Sequence, residues 1–242
     1  LRRAKQDIVM TNPASGRSGN ILIYLLGAIF LLGILVALVK GSFQEGTSID
    51  NDKLVLRVDE VRRYSAELER GVTYILNNGA SESEIRFAEP DDASTPYGDI
   101  AVTPQFQMFS ANGGGADYKL PPQGVNDGSK WAYFADSHLP GMGTDDPAAM
   151  KSDLIAVLPN VSEQFCSAMN MSLGQAVDLA EITDPEDDEC VYSPSNEFDG
   201  TFLTGTGNNV LETSEIPNTP APELCVKCED GSFHYYRVLL SR

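Results

Sequence analysis

Four cysteines, two histidines and one dense run of carboxylates are the residues of this 242-residue chain whose types could do chemistry. The histidines, His138 and His234, lie far apart in the sequence, and neither sits in a metal-ligand or hydrolase motif. A serine or cysteine hydrolase needs a histidine, a nucleophile and an orienting acid. No spacing here announces such a set, so the chain reads as a non-enzyme. "GGGAD" (Gly113–Asp117) has neither the spacing nor the strand-to-helix setting of a phosphate loop and reads as a flexible turn.

The densest charge is "DPEDDE", Asp184 to Glu189. Hard carboxylate oxygens close together suit Ca²⁺, which would use Asp184, Asp187, Asp188 and Glu189. The spacing lacks the glycine and terminal glutamate of an EF-hand loop, and a solvated acidic loop is the competing reading. No other cofactor is implied. "NVS" at Asn160 and "NMS" at Asn170 match the glycosylation acceptor pattern, a short pattern that recurs by chance.

The cysteines, Cys166, Cys190, Cys225 and Cys228, all fall in the second half of the chain. An even number in an exported domain reads as two disulfides with three possible connectivities. "CVKC" could close on itself, or each of its cysteines could reach back to Cys166 or Cys190. The crossed options close larger loops and remove more unfolded-state entropy, which favours them. A zinc site wants a second close ligand pair, which Cys166 and Cys190 do not form. A thioredoxin-type motif opens a helix, whereas "CVKCEDGSFHYY" runs into a turn and then a strand.

Export is implied by "NILIYLLGAIFLLGILVALVK". From Ile21 to Val39 no residue is charged. As a helix these residues measure about 28 Å, close to the roughly 30 Å hydrocarbon core of a bilayer. The run outlasts the roughly 7–15 apolar residues of a signal peptide, and "LVKGSF" is not a small-x-small cleavage site. Residues 20–40 therefore read as a retained transmembrane helix. Arg2, Arg3, Lys5 and Arg17 precede it, which predicts a cytoplasmic N-terminus and a periplasmic or extracellular C-terminal part. That is the topology of a single-pass inner-membrane protein.

The charge is asymmetric. The formal net charge is −18, and beyond Lys40 the chain holds 12 Lys+Arg against 34 Asp+Glu. Such a body repels nucleic acid phosphates, keeps itself soluble and favours cations or basic partners.

Four segments follow: a polar, basic stub (1–19), the membrane helix (20–40), a Gly/Ser linker (41–48) and an exported α+β domain (49–242). Asp50 is placed to cap a helix whose apolar face is Leu54, Val58, Val61, Leu68, Val72 and Ile75, with Ser65 filling a gap. "NNG" (Asn77–Gly79) stops it. Strands are predicted at Glu84–Ala88, Phe106–Ser110, Lys130–Leu139, Leu154–Leu158 and across "SFHYYRVLLSR". A second helix runs from Asn160 to Met169, and 183–223 is irregular. The domain thus reads as an amphipathic helix packed on short antiparallel strands with long loops and disulfides.

A basic leader, Gly19, an apolar stem at Ile21–Val39, an amphipathic helix and a β-rich exported domain with disulfides together resemble type IV pilins and the pseudopilins of type II secretion. The resemblance covers residues 1–80 in pattern and the remainder in class only. It implies peptidase cleavage between Gly19 and Asn20, and a stem that packs in the core of a filament. The small residues Gly27, Ala28 and Gly33 would allow close helix packing there. Tyr24 stands where the family carries a glutamate, as in some minor pseudopilins, and Gly41 and Gly46 interrupt what is usually one continuous helix. The implied function is a structural subunit of a bacterial envelope filament or secretion apparatus. Its partners would be the bilayer, its own copies and other pilin-like subunits. The alternative is a permanently anchored module that binds a ligand or cation outside the cytoplasm.

Overall fold

The computed structural model describes residues 24–32, 45–93, 96–144, 151–175, 180–182, 190–192, 194–203, 209–211, 213, 215–216 and 218–242. The chain divides into two compact units, Leu1–Asp50 and Asn51–Arg242.

In the first unit residues 24–32 are helical (α1). They are nine of the residues predicted to span a membrane, and the others in 20–40 lie outside the described residues. Among the described residues no helix is long and apolar enough to cross a membrane.

The next helix, α2, runs Glu45–Asn77. It starts earlier than predicted, taking in half of the expected linker and placing Asp50 inside the helix rather than at its cap. Gly46 is only the second residue of the helix, where it costs no more than the about 1 kcal/mol of an interior glycine, which a cooperative helix of this length absorbs. The C-terminal stop is where the pattern put it. Gly79 adopts φ +90° and donates its N–H to Leu76 O at 3.0 Å.

In the second unit the strands are β1 (Ala132–His138), β2 (Asp153–Leu158), β3 (Ala180–Ile182), β4 (Asn209–Val210), β5 (Glu223–Cys228) and β6 (Phe233–Leu240). They form one sheet in the order β3-β5-β6-β2-β1-β4. The four central strands pair antiparallel, as predicted. The short edges β3 and β4 pair parallel. A second helix, α3 (Glu163–Ser172), is capped by Ser162, whose hydroxyl accepts from Phe165 N.

Two predicted strands are not strands. A 3₁₀ turn at Glu82–Glu84 runs into the start of Glu84–Ala88, of which only Arg86 makes a bridge, and another at Pro104–Phe106 leads into Phe106–Ser110. The two meet through Arg86 N to Phe106 O (3.0 Å) and Met108 N to Arg86 O (2.8 Å), a single bridge. Proline-rich flanks leave no length for a ladder. "GGGAD" is a turn but serves close packing. A side chain at Gly113 would overlap the Gln107 carbonyl oxygen, and one at Gly114 would strike Met108.

Side chains of the central strands alternate between two cores, the period-two rule of a sheet. Leu154, Ala156 and Leu158 of β2 face α2 and α3, together with Tyr133, Tyr235 and Leu239. Ile155, Val157, Phe134, Tyr236 and Val238 face a second core roofed by Val191, Leu211, Ile216 and Ala221. Burial on both faces explains why β2 is an unbroken apolar run after Asp153.

The helix seats on the sheet through the predicted seam, with Val58, Val61, Ser65, Leu68, Val72 and Ile75 all buried. Ser65 is not a defect in it. Its Oγ shares a 2.9 Å hydrogen bond with Tyr235 Oη. Tyr235 also donates to Glu223 at 2.9 Å. Glu223 takes Arg62 and Arg237, both at 2.8 Å, and Arg237 reaches on to Glu69 at 2.7 Å. Burial opposes the charge of Arg237, but the Glu69 and Glu223 carboxylates outweigh it and raise its pKa. A chain of four alternating charges thus ties α2 to β5 and β6 at the rim of the core.

Candidate functional site

Of the residues singled out for assembly, Gly27 and Ala28 lie in α1, and an added side chain at Gly27 would meet nothing within 4 Å. Around them Tyr24, Leu25, Leu26, Ile29, Phe30, Leu31 and Leu32 are 55–76% exposed. A contiguous surface of this kind marks contact with lipid or another protein. Gly19, Asn20 and Gly33 lie outside the described residues. So do the acidic residues Asp184, Asp187, Asp188 and Glu189. Among the described residues no group of three or more His, Cys, Asp or Glu is placed to hold a metal ion.

The four cysteines form two bridges of the crossed kind. Cys166–Cys225 joins α3 to β5, and Cys190–Cys228 joins the roof of the second core to the end of β5. One turn after Cys166, Asn170 clamps the same strand. Its amide donates to Cys225 O at 2.8 Å and accepts from Cys225 N at 2.9 Å. The acceptor pattern at Asn170 is therefore structural, because the amide nitrogen is buried and occupied. Asn160, at φ +54°, donates its amide to Asp127 at 3.0 Å.

A concavity of the second unit opens beside the second bridge. A cavity of about 550 Å³ is lined by residues that include Asn160, Cys190, Tyr192, Asp230, Ser232 and His234. Tyr192 stacks at a tilt on His234, ring centres 5.2 Å apart. Ser232 Oγ lies 2.8 Å from His234 Nε2 and 2.6 Å from Asp230 Oδ1. A serine, a histidine and an aspartate therefore meet here, a grouping invisible in the sequence except as the turn "EDGSFH".

Proton bookkeeping decides what the trio can do. His234 Nδ1 faces the backbone N–H of Asn160 at 3.2 Å and must accept from it. The neutral ring then carries its proton on Nε2 and donates to Ser232 Oγ. Ser232 in turn donates to Asp230, whose Oδ1 also accepts Ser232 N at 2.8 Å. A hydrolase needs the opposite polarity, with the histidine accepting from the serine and the acid behind the histidine. Burial lowers the His234 pKa to about 4 against the pull of the Asp230 and Asp127 charges, so the ring is neutral at pH 7. The trio is a hairpin lock, not a nucleophile.

His138 lies elsewhere, on a strand that does not adjoin that of His234. It ends β1 beside Asp153, and its Nδ1 lies 3.2 Å from Lys151 O. His234 sits toward the far end of the sheet, next to Tyr235, which pairs with Leu158. Five strand residues, about 17 Å, already separate Asp153 from Leu158, and each histidine lies one residue further out.

Comparison with known protein families, with curated proteins and with solved structures finds no match for this chain.

Proposed function

We propose that this chain is a pilin-like structural subunit, anchored in a bacterial inner membrane by residues 20–40, with its α+β domain outside the cytoplasm. The observation that carries this reading is the helical segment α1, whose seven large apolar side chains are 55–76% exposed. Burying such side chains is worth about 1.5–3 kcal/mol each, so a bilayer or neighbouring stems would hold them firmly. Two disulfides in the other unit fit an oxidising compartment. A long helix laid on a largely antiparallel sheet fits the resemblance to pilins, and the function is assembly rather than catalysis. The Asp230–Ser232–His234 trio, whose protons run the wrong way for nucleophilic attack, agrees with that.

The test is the fate of the N-terminus. Intact mass and N-terminal sequencing of the membrane-extracted protein should give a chain that begins at Asn20, and electron microscopy should show filaments. Release from membranes by carbonate without detergent would overturn the anchor.

The cavity beside Tyr192 and His234 favours a second reading, a permanently anchored binding module. That reading expects an uncleaved N-terminus and a ligand- or calcium-dependent rise in melting temperature.

A further inference from the structure

The face of α2 that points away from the sheet carries an ordered pattern of its own. Leu56, Glu60, Arg63, Glu67, Arg70 and Tyr74 recur at steps of 4, 3, 4, 3 and 4. At 3.6 residues per turn they occupy a stripe about 80° wide and about 27 Å long. Leu56 is 68% exposed and Tyr74 55%. Glu60, Arg63 and Arg70 are exposed and form no ion pair among the described residues, whereas Glu67 holds Lys119 at 2.9 Å.

The four charges of the stripe read the same in both directions if Glu and Arg are exchanged, and a large apolar side chain stands at each end. Arg63 and Glu67 lie two residues either side of position 65, Glu60 and Arg70 five, and Leu56 and Tyr74 nine. We infer that this stripe is the contact of a symmetric dimer, in which α2 of one copy lies antiparallel on α2 of a second copy of this chain. The two-fold axis passes level with residue 65. It sets Glu60 on Arg70, Arg63 on Glu67 and Leu56 beside Tyr74, each pair occurring twice.

Charge argues for a second copy rather than another partner. The body holds 34 acids against 12 bases, so two copies repel over most of their surface. This stripe is neutral and complementary to itself in one register only. Shape agrees. A groove of about 440 Å³ opens beside Leu56, between Asp59, Glu60 and Arg63 on one side and Lys119 on the other. The antiparallel register brings the protruding Tyr74 ring of the other copy to that end of the helix.

The competing explanation is that the charges only stabilise α2 from within, through pairs three and four residues apart. Charge swaps on the full chain in nonionic detergent at low salt separate the two, with molar mass read by light scattering during size exclusion. The 60/70 pair is the one to change, because Glu67 is already shared with Lys119. The wild type should be dimeric. Glu60→Arg and Arg70→Glu should each weaken the dimer on the order of tenfold, since the two-fold counts every swapped pair twice. The double variant should restore it, because only the antiparallel register makes residues 60 and 70 partners. A monomeric wild type, association indifferent to the swaps, or a double variant no better than the singles would each overturn the proposal. Melting curves of all four proteins verify that the exposed substitutions leave the fold intact.

Discussion

The face of the sheet that carries α2 and α3 and the opposite face, roofed by irregular segments, are held down by different means. A helix satisfies its own backbone, so α2 needs only an apolar stripe and a polar margin to dock. Val58, Leu68, Val72 and Ile75 supply the first, and the Arg62–Glu223–Arg237–Glu69 chain supplies the second. An irregular roof must find partners for each backbone group it buries. Leu211 N, for example, donates to His138 O at 3.1 Å. Its side chains, Val191, Leu211, Ile216 and Ala221, come from scattered positions and have no shared scaffold. The Cys190–Cys228 bridge stands in for that scaffold. The difference teaches that one sheet can be closed by regular packing on one side and by a covalent tie on the other.

The sharpest way to break this comparison is to remove each bridge in turn. The closed loops have sequence separations of 59 and 38, which chain entropy alone values at about 4 kcal/mol each. Cys166→Ala/Cys225→Ala should cost more than that in urea unfolding, because both cysteines are fully buried and leave a void. Cys190→Ala/Cys228→Ala should cost about 4 kcal/mol and should selectively free amide exchange at Val191 and Leu211. In the intact protein, mild reductant should open Cys190–Cys228 first, because it lines the cavity. Equal exchange rates at the roof with and without that bridge would sink the idea that it replaces a helix.

A smaller effect sharpens the same contrast. Leu68→Ala under α2 should cost about 4 kcal/mol, near the upper part of the usual range, because two helices and a sheet cannot collapse into the hole. Leu224→Ala on the other face should cost about 2 kcal/mol, because a loop roof relaxes. Matching losses in chemical denaturation would mean that the roof is as rigid as the helix.

What could be read from the sequence follows this same division. The seam of α2, its stop at Gly79, and strands β1, β2 and β6 all announce themselves by period or by an unbroken apolar run. β5 does not, because "ELCVKC" neither alternates nor forms an unbroken apolar run. The starts at Glu84 and Phe106 looked like strands locally, but a strand exists only if a partner runs beside it, and theirs lasts one bridge. The four cysteines were visible as a disulfide set, whereas the choice between the two crossed pairings needed the fold. The His234 corner was not legible at all. Its members, Asn160, Tyr192, Asp230 and Ser232, are brought together by a hairpin and by the Cys190 bridge, which no spacing encodes.

The smallest effect, and the most selective, is a pH dependence confined to that corner. His234 titrates near its ordinary value of about 6.5 when unfolded, but burial lowers it to about 4 in the folded chain. Between those values the unfolded state binds the extra proton, so stability rises with pH across the window and falls as pH drops through it. From pH 7 to pH 5 the loss should be about 2 kcal/mol. Asp127 and Asp230 are held below the carboxylate range by hydrogen bonds from Ser129 and Ser232, so their contribution has the same sign but sets in only as pH falls to the ordinary carboxylate range and is small from pH 7 to about 5. Glu197, raised by burial and by the Glu89 charge, contributes with the opposite sign. The His234 contribution is therefore read as a difference. His234→Asn keeps an acceptor in the ring's place but cannot titrate, and its urea midpoint should lose the acid slope that the wild type shows. Parallel slopes for the two proteins would place the proton-binding group elsewhere and remove the argument that His234 is locked neutral.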